Sequence, residues 1–223
     1  MDLPIDQVVC GDALKELKAF PDKSVDLIFA DPPFNAKKGM GTLSHRYLAD
    51  IDNRTDSEYK AFCQAWFEEA RRIGKRILLT PGIKHTHNYP QPLWTIAIEQ
   101  PAAVKFSVFG GFNVWEPLFV YDRPVKRVPR DMVRYHCRNL EKGVWIDHPC
   151  PDNIDMLRWI IGTWSRANDI VLDPFAGTGT TLIATKEQGR RFIGIEIIPQ
   201  YCNISKQRLA QQVIPTERMV NDV

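Results

Sequence analysis

No stretch of this sequence approaches the roughly 20 apolar residues that a membrane span requires. No charged segment followed by an apolar run opens it, so neither insertion nor export is expected. Cysteine is scarce: Cys10, Cys63, Cys137, Cys150 and Cys202 are odd in number and form no CxxC pair. That excludes a disulfide framework or zinc ribbon and fits a reducing cytoplasm. His136, Cys137, His148 and Cys150 match no common zinc spacing, so no metal is expected. Charge of one sign is missing too, since the formal net charge is only +2. Attraction to a polyanion must therefore come from local patches. Internal repeats and low-complexity tracts are absent. What is present, 44% hydrophobic and 25% charged residues over 223 positions, suits one folded α/β domain.

Gln7 to Cys10 and Val25 to Ala30 read as short buried strands around a helix from Ala13 to Phe20. Asp56 or Ser57 is the expected cap of a helix running toward Lys75, in which Tyr59, Phe62, Cys63, Trp66, Phe67 and Ala70 recur at helical spacing and read as core. Arg76 to Thr80 reads as a strand stopped by Pro81. Leu93 to Glu99 is the one helical piece expected between Pro90 and Pro101. Val104 to Phe109 and Leu118 to Tyr121 read as later strands, candidates for a hairpin, and Asp122 to Asp147 as a basic irregular segment. Asp152 or Asn153 caps a helix through Trp164. A strand at Asp169 to Leu172, a helix at Thr180 to Gln188, a strand at Phe192 to Ile195 and a helix at Gln200 to Val213 complete an alternation typical of a parallel, doubly wound sheet.

After the strand at Asp169 comes Asp173-Pro174-Phe175-Ala176-Gly177-Thr178-Gly179-Thr180-Thr181. Gly177 and Gly179 permit a sharp turn and close ligand approach, and the following helix presents unpaired amides. A P-loop would need a Lys before the Ser/Thr, and a dinucleotide fingerprint a third Gly where Leu182 stands. Glu196 ends the next strand, placed to accept hydrogen bonds from both hydroxyls of a ribose. Loop and acid together point to an adenosine-containing cofactor. The plain alternative is a glycine turn with a solvated Glu.

The strand from Val25 ends in Asp31-Pro32-Pro33-Phe34-Asn35. Two prolines fix φ and remove two donors, leaving acceptor carbonyls at a strand C-terminus, where open α/β sheets bind ligands. An aromatic amine is a weak nucleophile because its lone pair is delocalised. Asp31 and the Pro32 carbonyl can each accept one N–H and favour a pyramidal nitrogen, while Phe34 can stack on a base rotated out of its helix. A strand-ending turn with a packed Phe is the competing reading.

Together these motifs resemble the DPPY/DPPF and FxGxG motifs of DNA amino-methyltransferases. With Asp31 preceding the glycine loop, the order is similar to that of the permuted β class of DNA adenine methyltransferases. Gly11-Asp12-Ala13 resembles the family's cofactor-adenine segment, Gly194-Ile195-Glu196 with Tyr201 its ribose segment, His148-Pro149 its methionine-end segment, and Trp115-Glu116-Pro117 a segment near the last strands of the catalytic half. The Lys-Pro that usually follows His-Pro is absent.

The resemblance implies a Rossmann-like, seven-stranded, mostly parallel sheet with an antiparallel last strand. It also implies methyl transfer from S-adenosylmethionine to N6 of adenine in DNA. Asp31, Pro32, Pro33 and Phe34 would be catalytic. Asp12, Ala13, His148, Asp173, Phe175, Ala176, Gly177, Thr178, Gly179, Thr180 and Glu196 would hold the cofactor. Cytosine N4, an RNA base, a protein glutamine or a non-catalytic binding module are the other readings.

A full recognition domain has no room between 122 and 147. Lys37, Lys38, Arg46, Arg123, Lys126, Arg127, Arg130 and Arg134 are the expected phosphate contacts, and a homodimer would add others.

Overall fold

Runs such as Leu27-Ile28-Phe29-Ala30 are apolar at every position, so they are stable only as strands covered on both faces. The computed structural model describes residues 2–35, 54–99, 105–106, 112–135 and 153–211, and it arranges such runs in that way. The first part of the chain forms β1 (Gln7–Cys10), α1 (Ala13–Leu17), β2 (Leu27–Ala30), α2 (Asp56–Ile73), β3 (Ile77–Leu79), a short 3-10 helix (Ile83–Asn88) and β4 (Trp94–Glu99). There follow β5 (Lys105–Phe106), β6 (Phe112–Asn113), β7 (Trp115–Val120), β8 (Met132–Arg134), α3 (Ile154–Trp164), β9 (Ile170–Asp173), α4 (Thr180–Glu187), β10 (Arg191–Glu196) and α5 (Pro199–Ala210).

Among the described residues the main sheet has eight strands in the order β1-β10-β9-β2-β3-β7-β4-β8. Neighbours pair parallel, except that β7 runs against both β3 and β4. The expectation of seven strands is thus exceeded by β8, and the reversed strand lies inside the sheet. From β2 the chain winds outward through β3, and from β9 it winds the other way toward β1. The strand order therefore reverses between β9 and β2, the crevice where doubly wound sheets bind ligands.

Residues of alternating parity feed two cores. Leu27, Phe29, Leu78 and Val171 join Leu157, Ile160, Ile161 and Trp164 of α3 and Leu182 and Ile183 of α4 on one face. Ile28, Ala30, Leu79 and Leu172 join Leu17 of α1 and Tyr59, Cys63, Trp66, Ala70 and Ile73 of α2 on the other.

Four expectations need correction. Leu93 to Glu99 is not helical: Trp94–Glu99 is β4, whose buried Ile96 and Ile98 alternate with period two between β7 and β8. Trp94, Thr95, Ile96 and Ile98 favour a strand by propensity too, and pairing on both sides reinforces it. Thr55, not Asp56 or Ser57, caps α2 through a capping box with Glu58. β7 pairs with β3 and β4 instead of forming a hairpin with the segment from Val104, of which Lys105–Phe106 pairs with Phe112–Asn113. The segment from Asp122 is not wholly irregular, since Met132–Arg134 forms β8.

Asn153 caps α3, its side chain accepting from the amides of Asp155 at 2.9 Å and Met156 at 3.2 Å. Asn153→Ala should lower unfolding stability by about 1 kcal/mol. Urea titration would measure this, and no change would show that water replaces the cap without loss.

Candidate active site at the carboxyl edge of the sheet

Parallel register brings the ends of four strands to one edge. Cys10 lies beside Glu196, Gly194 beside Asp173, and Ile28 beside Leu172. Asp12, Glu196, Asp173 and Asp31 consequently follow one another across β1, β10, β9 and β2. The sequence-predicted catalytic loop and glycine loop end directly paired strands.

The glycine loop is held from below by two buried carboxylates. Asp173 accepts from the Phe175 amide at 2.9 Å and from the Thr181 side chain, yet burial pushes its pKa up to about 7. Glu196 accepts from the Gly177 amide and the Ile198 amide, each at 2.8 Å. Burial raises its pKa as well, against those amides. With the Ile197 amide as a third backbone donor, the carboxylate keeps lone-pair capacity for one further donor. Gly177 and Gly179 have φ of 51° and 86°, and a Cβ on Gly179 would collide with Ser205 Oγ. Ala176 N donates to Ile195 O at 2.9 Å and Gly179 N to Ala176 O at 2.8 Å, whereas the Thr178 amide has no partner among the described residues. Thr180 begins α4. The Phe175 ring packs edge-on against Trp66 and Phe62 of α2. Asp12 caps α1 by accepting from Lys15 N at 2.9 Å, and Ala13 is buried behind it.

The catalytic-loop candidates are equally braced. Thr80, which follows β3, donates its hydroxyl to Asp31 Oδ1 and its amide to Ala30 O. Tyr59 of α2 donates to the Pro33 carbonyl at 2.8 Å. The His85 ring stands edge-on to Tyr59 at 4.6 Å. Burial, opposed by the Phe34 backbone, lowers the His85 pKa. Phe34 lies directly over Gly82, where a Cβ would sit 2.9 Å from its ring. Asn35 exchanges two 2.9 Å bonds with the Arg54 backbone. The Pro32 carbonyl, by contrast, has no partner among the described residues.

An array of acceptors thus stands beside an amide-lined glycine loop. The DNA methylase family model matches residues 84–207. The chain belongs to the DNA methylase family. It is 28% identical to the DNA adenine methyltransferase YhdJ of Escherichia coli (strain K12), over 91% of this chain and 82% of the relative. Its fold is similar to that of the PvuII DNA methyltransferase (cytosine-N4-specific), with a TM-score of 0.69 at 14% identity over 90% of this chain and 85% of the other. M1.HpyAVI, solved as a SAM complex, gives 0.66 at 21% identity over 92% and 98%. The matched family segment contains the glycine loop and Glu196, while Asp31 precedes it. Among the described residues of this DNA methylase, no cluster of His, Cys, Asp and Glu could hold a metal, and no helix is long and apolar enough to cross a membrane.

Among the described residues, the expected phosphate contacts divide between the two ends of the sheet. β7 runs backward, so the chain leaves it at the opposite end of the sheet, where Tyr121 N bonds to Ile77 O and Asp122 accepts from Ile77 N. Val125 and Lys126 then bond to Thr163 O near the end of α3. Arg123, Lys126 and Arg127 therefore lie toward the opposite end of the sheet from Asp31, because β7 is reversed. Arg130 precedes β8. Arg134 reaches the carboxyl end of β4, but it is bound there to Glu99 at 2.7 and 2.8 Å. Lys37, Lys38, Arg46 and His148 lie outside the described residues.

Thr80, Tyr59, His85, Gly82, Ser205 and Arg208 escaped the sequence reading of this DNA methylase. A strand-end position was the available signal for Thr80. Tyr59 looked like core, which it also is.

Two outcomes follow. Asp173 in the native state holds a proton that the unfolded chain loses near 3.8, so its contribution to stability is complete below that pH and is lost as pH rises to about 7. Relative to Asp173→Asn, the wild type should lose about 1.4 kcal/mol per pH unit in that window. Urea unfolding at several pH values checks this; a constant difference contradicts it. For DNA binding, replacing Arg123, Lys126 and Arg127 by Ala should leave the salt dependence of affinity unchanged. Loss of three phosphate contacts would instead reduce the slope by about three.

Proposed function

We propose that the chain transfers a methyl group from S-adenosylmethionine to the N6 amine of adenine in DNA. The observation that carries this reading is the pairing of β2 with β9, which sets the Asp31 loop beside the glycine loop. YhdJ, an adenine methyltransferase by name, supports adenine, and the SAM complex of M1.HpyAVI supports the cofactor.

The residues suit that cofactor. Gly177 and Gly179 bring backbone close without side chains, the Thr178 amide has no partner among the described residues, and Glu196 keeps capacity to accept from a ribose hydroxyl. Asp12 and Ala13 flank Glu196 on the neighbouring strand end. Bound here, S-adenosylmethionine supplies an electrophilic methyl group.

Asp31 and the Pro32 carbonyl take one amine N–H each, which localises the nitrogen lone pair and orients it toward the glycine loop. Pro33 keeps the turn rigid, its carbonyl tied to Tyr59. Phe34, fixed over Gly82 on one side, offers its other face to a rotated base. Thr80 fixes the Asp31 carboxylate. Single-domain organisation, with recognition supplied by loops, completes the proposal.

Incubation of unmethylated DNA with labelled S-adenosylmethionine, followed by nucleoside analysis, should yield N6-methyladenine. N4-methylcytosine, the product suggested by the name of the PvuII enzyme, would replace adenine by cytosine as the target. Asp31→Ala should abolish transfer while leaving S-adenosylmethionine affinity within about twofold, because Asp31 is assigned to the acceptor alone. Near-normal turnover in that variant would remove Asp31 from the mechanism.

A further inference from the structure

α5 carries Cys202, Ser205 and Arg208 at intervals of three, a spacing that places side chains side by side on a helix. All three meet the elements that hold the glycine loop. Cys202 Sγ donates to Glu196 O at 3.1 Å. Ser205, fully buried, packs against Gly179 so closely that only glycine fits there.

Arg208 reaches back toward the start of its helix, as helical side chains do. Its Nη1 donates to Thr178 O at 2.7 Å and lies 3.3 Å from the hydroxyls of Thr178 and Thr180. The consequence concerns one peptide group. On one side of the Thr178 N–H, which has no partner among the described residues, the Gly177 amide is fixed by Glu196. On the other side, the Thr178 carbonyl is fixed by Arg208, and the same peptide unit's Gly179 amide is fixed by Ala176 O. A charge-assisted bond is about twice as strong as a neutral one, so Arg208 is the firmest restraint on the downstream flank.

We propose that Arg208 is a positioning residue for the methyl donor, holding the glycine loop so that the Thr178 N–H faces S-adenosylmethionine. The inference rests on the functional reading above, and it assigns a role to the last helix that the motif residues alone do not reveal. Arg208 acts through the loop. Its loss therefore weakens donor binding without altering the acceptor side of the site.

The test compares wild type, Arg208→Met and Arg208→Lys by calorimetric titration with S-adenosylmethionine, by separate KM values for donor and DNA, and by ligand-free thermal unfolding. Arg208→Met should weaken donor binding roughly tenfold or more, the effect of losing hydrogen bonds from a charged group. KM for DNA and kcat at saturating donor should stay near wild type. Arg208→Lys, which restores a cationic donor, should recover most of the affinity. Wild-type affinity in Arg208→Met would overturn the inference alone. Equal losses in Met and Lys variants, tracking lowered thermal midpoints and raised KM for both substrates, would also overturn it in favour of a merely structural role. A wild-type protein that binds no S-adenosylmethionine would overturn the functional reading and the inference together.

Discussion

The parallel contact between β2 and β9 joins segments separated by more than half the chain, Leu27 with Val171 and Ile28 with Leu172. Asp26 secures its lower end by accepting from the Ile170 amide at 2.9 Å and from Lys75 at 2.7 Å. Burial works against its charge, but those two partners hold its carboxyl below the usual range. A slip of one residue in this pairing would exchange the faces of every side chain on the strand and separate the two loops that the site requires. Register here is therefore a functional quantity as much as a structural one.

α2 links the loops a second time. Tyr59 holds the Pro33 carbonyl, and two turns further on Trp66 packs against the Phe175 ring at 5.3 Å. One rigid helix thus sets the position of both sides of the crevice. Beneath the glycine loop, Asp173 and Glu196 are both buried, and burial first, then the Glu196 charge, raises the pKa of Asp173. Desolvated acceptors of this kind are held ready for donors and cost stability in the free protein.

Sequence revealed what local chemistry dictates. The strand ends at Asp31 and Glu196, the two glycines and the helical stripe from Tyr59 to Ala70 all stand in the structure as read, because glycine tolerance and periodicity leave a direct trace. Pairing partners leave none. β7 and β8 flank the strand from Trp94 to Glu99, and Arg123, Lys126 and Arg127 lie at the far end because β7 is reversed, while β8 brings Arg134 back to the carboxyl end. Likewise Arg208 carries no mark of its role, since its bonds are made to residues about thirty positions earlier.

The order in which strands fill the sheet sets a constraint on how the molecule is made. Among the described residues β1 occupies one edge, yet its neighbour β10 is synthesised long after it, and β9 and β10 insert between β1 and β2. Until β9 and β10 emerge from the ribosome, β1 lacks its neighbour and β2 is open along one side, the condition under which nascent chains pair wrongly or aggregate. Closure then depends on contacts of long sequence separation, which form slowly. A product truncated before β9 would consequently contain the Asp31 motif in full and still lack both the glycine loop and the strands that join β1 to β2.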